Sequence, residues 1–527
     1  MTHSRILRAQ QRRTNAARLG ATLVTVLAVF VSCSPSFQAK ACTNDTDCGA
    51  NLVCVQQTGP GVCQSPSVSP IRIGMSAPVS GPSQDLGTEM KKGVTLAFDA
   101  QNAAGGIRGR QLELNFRDDQ YVPAAAEQAA HDLLDVQPQV GVPAKCPTTT
   151  TSLVAGTDPV ATSALIRGPK GVIALLGNVG TPTMVRTAPI AVETQSLFFG
   201  AFTGSAKMLR DGASQQCGKY IFNVRASYGQ EARATLEFFV KLGVPDSAHL
   251  MSFDQNDTFG QAGYDGLVNA WTSLKGAPPP NTSGDAANPI KRFRYTRDDQ
   301  TSVPAQIAAA TAYLASVLAS DAAPTVNVGI LMTDTYGPAT TFIKGIRDWH
   351  YASTNTDAAS RLKLTISNVS FVGPNSLAGR LKDLGVVQAP TGPKAYSDGV
   401  FVSQVVPNYQ SDSSDAVAAY KKALLDAGGL APSFTSLEGY LAGRVFIAGL
   451  LAHQGPFTAE ALIDTFEHLP NQALGLGANA GFTPCGTDIC KTQHNYSKSV
   501  WGTALSPDGT FTNRYFWTDG TPLQLFE

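Results

Sequence analysis

The sequence predicts an α/β protein of two lobes, each a doubly wound parallel sheet, and three observations carry that expectation. From residue 71 onward, short apolar or alternating segments give way to segments of helical periodicity, one cycle after another. Strands alternating with helices imply parallel sheets covered on both faces. The cycles supply too many strands for one small sheet, and 527 residues exceed what a single ordinary core accommodates. Glycine (49) and proline (32) are also plentiful, as many tight strand–helix connections require.

In order, Ile71–Met75 alternates as a strand, and a turn leads to a helix with Met90, Val94, Ala97 and Phe98 on one face, stopped at Gly105-Gly106. Strand Leu112–Phe116 and an alanine-rich helix over 123–134 follow. Residues 137–168 hold Cys146, a threonine run and several prolines; they break the rhythm and read as an insertion loop. The cycles resume with strands Val172–Leu176, Leu197–Phe199, Tyr220–Arg225 and His249–Phe253, interleaved with helices Ser205–Asp211, Gly229–Leu242 and Phe259–Ser273. The segment GAPPPNTSGDAANP reads as a disordered linker. Strands Lys291–Tyr295, Val326–Met332, Leu364–Val372 and Gly399–Val406 come next, then helices Asp412–Asp426, Leu437–His453 and Ala459–Leu469.

The N-terminus reads as an export signal. Arg5, Arg8, Arg12, Arg13 and Arg18 precede an apolar run, Leu19–Ser32, too short to span a bilayer comfortably. Phe30-Val31-Ser32-Cys33 resembles a lipoprotein processing site in which Cys33 receives the lipid; an ordinary cleaved signal is the alternative. No other segment reads as a membrane span. Of nine cysteines, eight remain after Cys33, and an exported chain pairs cysteines by default. Cys42, Cys48, Cys54 and Cys63 crowd a stretch too short for a core of its own, which implies two disulfides. Cys485 and Cys490 are placed to close a small loop, leaving Cys146 and Cys217 for each other. Zinc is disfavoured, because no CxxC pair exists and no histidine lies near the N-terminal cluster. Asn44, Asp45 and Asp47 match no calcium loop and read as turn residues.

Forty basic and forty acidic side chains balance, so nothing points to nucleic acid or a membrane surface as partner. No P-loop, no GxGxxG after a strand, no HExxH and no GxSxG elbow occurs. The pairs Asp118-Asp119 and Asp298-Asp299 are adjacent, and adjacent residues of a strand face opposite ways. The expectation is a binding protein, not an enzyme, with no cofactor and no metal.

A family resemblance sharpens this. IRIGMSAPVSGPSQDLG and FDAQNAAGGIRGRQLELNFRDD resemble the opening of type I periplasmic binding proteins of the branched-chain amino acid (Leu/Ile/Val) class, the substrate-binding proteins of ABC transporters. LLGNVGTPTMVR, LFFGAFTGSAKMLR, YIFNVRASYGQEA, DTFGQAGYDG, FVSQVVPNY and FTSLEGYLAGRVF continue the likeness in order, across about 71–520. The resemblance implies two doubly wound lobes joined by three crossovers, near Val224–Ser227, Val405–Tyr409 and Ser497–Trp501. Lobe 1 would comprise 71–224 and 406–497, and lobe 2 225–405 and 498–527, after a signal over 1–33 and a disulfide-rich segment over 34–70. It also implies a monomer, anchored by lipid in the periplasm or outer membrane, that hands a small polar solute to an ABC permease. A ligand-sensing receptor of the same fold is the alternative, and an exported hydrolase a third.

The site expectations follow from the same likeness. Ligands of open α/β sheets bind beyond the carboxyl ends of strands. Gly177–Thr183 and Gly200–Ser205 each follow a strand and carry glycines and hydroxyls, so Thr181, Thr203 and Ser205 are expected to hold a carboxylate; plain helix capping is the competing explanation. Leu86 borders the cleft from lobe 1, and Phe259 and Tyr336 close it from lobe 2. Asn375 stands where amino-acid-binding members carry a glutamate for the ammonium group, which points away from a standard amino acid and toward an amide, a carboxylate or an aromatic compound. Asp334 could restore the missing charge if it turned inward.

Overall fold

The computed structural model describes residues 40–43, 47–48, 52–55, 61–64, 69–146, 163–205, 210, 215–486, 490 and 492–526. The export signal with Cys33 lies outside the described residues, as does most of the predicted helix 205–211.

The cysteine segment folds as three short strands, Ala41–Cys42, Val53–Val55 and Gly61–Gln64, with the last in the middle. Disulfides Cys42–Cys54 and Cys48–Cys63 cross it, and the half-cystines themselves form its small core. The expected pairs Cys146–Cys217 and Cys485–Cys490 are also bonded.

The first large sheet has five parallel strands in the order Ile221–Phe222, Leu197–Phe199, Ala174–Leu176, Ile71–Ala77, Leu112–Asp118. Order reverses beside Ile71–Ala77, which puts a switch point where the following loops diverge. Helices Gln84–Ala103 and Phe434–Ala452 pack at backbone distance: a Cβ on Gly93 would lie 2.0 Å from the Ser436 carbonyl, and one on Gly439 2.4 Å from that of Met90. Glycines at these positions thus let a late helix cover an early sheet.

The second sheet has eight strands. Lys291–Tyr295, Leu250–Gln255, Val326–Thr333, Leu362–Asn368 and Val400–Gln404 are parallel and run in that order. Ser499–Leu505, Phe511–Thr518 and Gln524–Leu525 then extend it antiparallel. This corrects the expectation of purely parallel sheets: the C-terminal tail forms a meander with a Pro-Asp-Gly turn at 507–509, a signal the helix–strand rhythm had obscured. Two further expectations change. Within 137–168, Val136–Pro143 pairs with Ser163–Arg167 as an antiparallel ribbon rather than a loop. The segment 276–289 is folded, because Thr282 N–H donates to Pro289 O and the Ser283 hydroxyl to Asn288 O.

One helix, Val303–Ser320, belongs to a stretch long and apolar enough to cross a membrane by length and composition alone. Val303, Ala310, Leu314, Val317 and Leu318 lie in the protein core, so one face of the helix packs against the core.

The chain passes between the sheets at residues 223–227, where Asn223 bridges Asn495 in parallel and Ser497 N–H donates to Val224 O. The first and third crossovers therefore run side by side, with the polypeptide crossing again after Gln404.

Candidate functional site

Two loops leave the carboxyl ends of adjacent strands and are zipped together. Gly177 N–H donates to Phe199 O, Gly180 N–H to Phe202 O, and Phe202 N–H to Asn178 O. Gly180 has φ +98 and faces the Tyr121 ring, which a Cβ there would meet at 2.2 Å; a side chain is excluded on both counts. From this frame Thr181 opens helix Thr181–Glu193, and the Oγ1 atoms of Thr181 and Thr203 come within 2.7 Å of each other. Ser205 N–H donates to Thr203 Oγ1 at 3.2 Å, so the three hydroxyl residues singled out in the sequence share one spot. All three are buried. The first-turn amides of a helix lack intrahelical acceptors, and Thr181 contributes one of them here. Asn178 Nδ2 and Ser205 Oγ are buried with no hydrogen-bond partner among the described residues.

Facing this corner is an aromatic wall. Phe371 of the second lobe stacks on Phe202 at 4.8 Å, lies 6.3 Å from Tyr121, and meets Phe259 edge-on at 4.7 Å. Phe259 in turn lies 5.4 Å from Tyr228, whose hydroxyl is 3.5 Å from Thr203 Oγ1. Phe259 is held there because the Asp257 carboxylate caps its helix through the Phe259 N–H. Burial pushes the Tyr228 phenol up to about 12, so it stays neutral and accepts from the Thr203 hydroxyl.

Other predicted residues are put to a different use. Tyr336 donates its hydroxyl to the Pro82 carbonyl at 2.7 Å and packs with Leu86 around Gly373, where a Cβ would lie 2.9 Å from Leu86 and 3.1 Å from Tyr336. Asn375 donates to the Tyr409 hydroxyl at 2.7 Å and accepts from Phe434 N–H at 3.1 Å. The Ser376 hydroxyl reaches Asp85 at 2.8 Å. Tyr336 and Asn375 thus have polar atoms engaged between one lobe and the other. Asp334 does not restore a charge: it is fully buried, accepts from Asn368, and burial drives its carboxyl well above the ordinary range.

Sequence reasoning missed Phe371, Phe202, Tyr228 and Tyr121, and also a buried ion cluster beside them. Arg225 pairs with Glu231 at 2.8 Å and Glu438 at 3.3 Å, and its guanidinium faces the rings of Phe202 and Tyr228. Glu231 also accepts from Ser370 N–H and from the Ser403 hydroxyl. Burial pushes Glu438 up to about 7 against the pull of Arg225. One available signal was position: Phe371 stands two residues before the Gly373-Pro374 break.

The comparisons with known proteins agree with this architecture. A family model described as "Periplasmic binding protein" matches residues 70–166 and 161–488. Leu/Ile/Val-binding protein homolog 3 of Brucella melitensis biotype 1 is 37% identical over 70 residues, which is 13% of this chain and 19% of that protein. The match thus spans about a fifth of that relative's length. The crystal structure of a possible leucine/isoleucine/valine-binding protein from Rhodopirellula baltica SH 1 aligns with TM-score 0.62 at 25% identity, covering 85% of this chain and 97% of that one. An ABC transporter solute binding protein from R. palustris, solved in complex with benzoate, aligns with TM-score 0.55 at 17% identity over 87% of this chain and 98% of that one, a likeness of fold alone.

Proposed function

The chain belongs to the periplasmic binding protein family, and we propose that it captures a small carboxylate with an apolar or aromatic body for an ABC importer. The observation that carries this reading is the meeting of Thr181 and Thr203, 2.7 Å apart at two strand-to-helix loops, opposite an aromatic wall from the second lobe. Hydroxyls and first-turn amides suit a carboxylate. The rings of Phe202, Phe259 and Phe371 suit an apolar body. Asn375 offers no charge and is engaged by Tyr409 and Phe434, and burial raises the Asp334 carboxyl well above the ordinary range; both disfavour the ammonium group of a standard amino acid. Here the lobes comprise 71–224 with 406–497 and 225–405 with 498–527, and the interlobe bonds of Tyr336 and Asn375 belong to the closed form. The exported, Cys33-lipidated, monomeric state and the permease partner are parts of the same proposal, as is the absence of catalysis.

The test is a thermal-shift screen of the mature chain against aromatic and aliphatic carboxylates, amides and branched-chain amino acids, followed by calorimetry. A stabilising carboxylate is expected, and T181V/T203V should weaken it by about tenfold to a hundredfold for each charge-assisted bond lost. Failure of the whole panel, or full affinity in T181V/T203V, refutes the reading.

A further inference from the structure

A second cluster lies against the edge strand Ile221–Phe222 of the first sheet, beside the first crossover, and concerns a different ligand. His494 is fully buried and stacks on Phe222 at 3.8 Å between ring centres. Its Nδ1 lies 3.1 Å from the Ile221 carbonyl, while Nε2 lies 2.9 Å from Glu467 Oε1 and 3.2 Å from Cys485 Sγ. A neutral imidazole has one N–H and cannot donate to both oxygens, so this arrangement calls for a second proton or a cation on the ring. A cation at Nε2 removes the conflict: Nδ1–H then donates to the Ile221 carbonyl, the outer-shell bond that metal-bound histidines ordinarily make. The Cys490 sulfur completes the group, with the donor atoms of Cys485, Cys490 and His494 all within 4.8 Å of one another. A tetrahedral zinc site needs donor separations of about 3.5 Å, so after reduction the two sulfurs must move apart and Glu467, which lies outside that three-residue group, must move in toward Cys490. Glu467 ends helix Ala459–Glu467, and its Oε1 also accepts from Cys485 N–H at 3.1 Å, which ties the carboxylate to the cysteine loop.

We propose that, when the Cys485–Cys490 bond is reduced, Cys485, Cys490, His494 and Glu467 form a closed site for a thiophilic divalent cation of the zinc class. A dithiol reductant delivers two electrons and two protons to the two sulfurs and leaves as its own disulfide. The cation then displaces the two thiol protons to solvent and is held by two thiolates, the Nε2 lone pair and a carboxylate oxygen. In the oxidised chain the sulfurs share a covalent bond and carry no charge, so the site is closed to metal. Metal and disulfide are alternative staples for the same loop, selected by redox state.

The experiment uses the mature chain reduced with a phosphine, titrated with Zn²⁺ against a chelator and with Co²⁺ as a spectroscopic probe. Reduction also frees the N-terminal cysteines, so C485S/C490S is the reference. The reduced wild type should bind one more equivalent than that reference, with tetrahedral Co²⁺ bands and thiolate charge transfer. E467Q should weaken binding by about tenfold or more. Equal stoichiometry in the wild type and C485S/C490S overturns the proposal, as does a folded H494Q chain with an unchanged Co²⁺ spectrum. If H494Q does not fold, the stoichiometric comparison decides alone.

Discussion

Replacing Arg225 by methionine should cost more than any other change at the crossover. The guanidinium is 2% exposed and is the shared counter-ion of Glu231 and Glu438. Removing one partner of a buried ion pair typically costs about 3–5 kcal/mol, because the remaining charge stays desolvated. The two carboxylates do not suffer equally. Glu231 keeps Ser370 N–H at 2.7 Å and the Ser403 hydroxyl at 2.6 Å, whereas the Arg225 bond at 3.3 Å is the contact recorded for Glu438. Most of the penalty should therefore fall on Glu438, and R225M/E438Q should be more stable than R225M. The pH dependence has a definite sign. Glu438 is raised from its ordinary 4.5 to about 7, so the folded state holds its proton more tightly than the unfolded state. Its favourable contribution is complete below about pH 4.5 and is lost as pH rises to about 7. In R225M the attraction that restrains this rise is gone, so the loss extends to higher pH. Urea unfolding followed by circular dichroism at pH 5 and pH 8 measures all of this. The expected result is a cost of about 3–5 kcal/mol for R225M at pH 8, smaller at pH 5, and relieved by E438Q. A cost below about 1 kcal/mol at pH 8, or one independent of pH, would refute the argument.

Three further outcomes are expected. F371A removes two ring contacts that cross between lobes, each worth about 0.5–1.5 kcal/mol beyond area, so small-angle scattering should show a more open average shape than the wild type. Y336F deletes the 2.7 Å bond to the Pro82 carbonyl and should shift the same measurement in the same direction by about 1 kcal/mol of closure energy, with unfolding stability of the separate lobes little changed. C146S/C217S opens a 71-residue loop; chain entropy predicts a loss of about 4 kcal/mol, readable as a lower denaturation midpoint.

Several of these effects act on residues that periodicity could not have singled out. Strand and helix positions were legible because burial repeats at fixed spacing: Met90, Val94, Ala97 and Phe98 lie on one buried stripe, and the predicted helix over 123–134 matches Pro123–Leu134. Thr181 and Thr203 were legible as loop hydroxyls following strands, since strand–turn–helix chemistry is local. For Tyr336 and Asn375 the sequence does not say which neighbour takes their polar atoms. Tyr409 and Phe434 take those of Asn375 from 34 and 59 residues away.

The amino-acid sequence alone thus determined the alternating architecture, the pairing of the later cysteines and the two hydroxyl-bearing loops that follow strands, because each depends on neighbours along the chain. The antiparallel C-terminal meander, the aromatic wall around Phe371, the Arg225 ion cluster and the meeting of Glu467 with Cys485 and His494 were decided by tertiary structure. They join segments as far apart as Arg225 and Glu438, and which side chains come to share a buried space is set by the packing of whole sheets and helices.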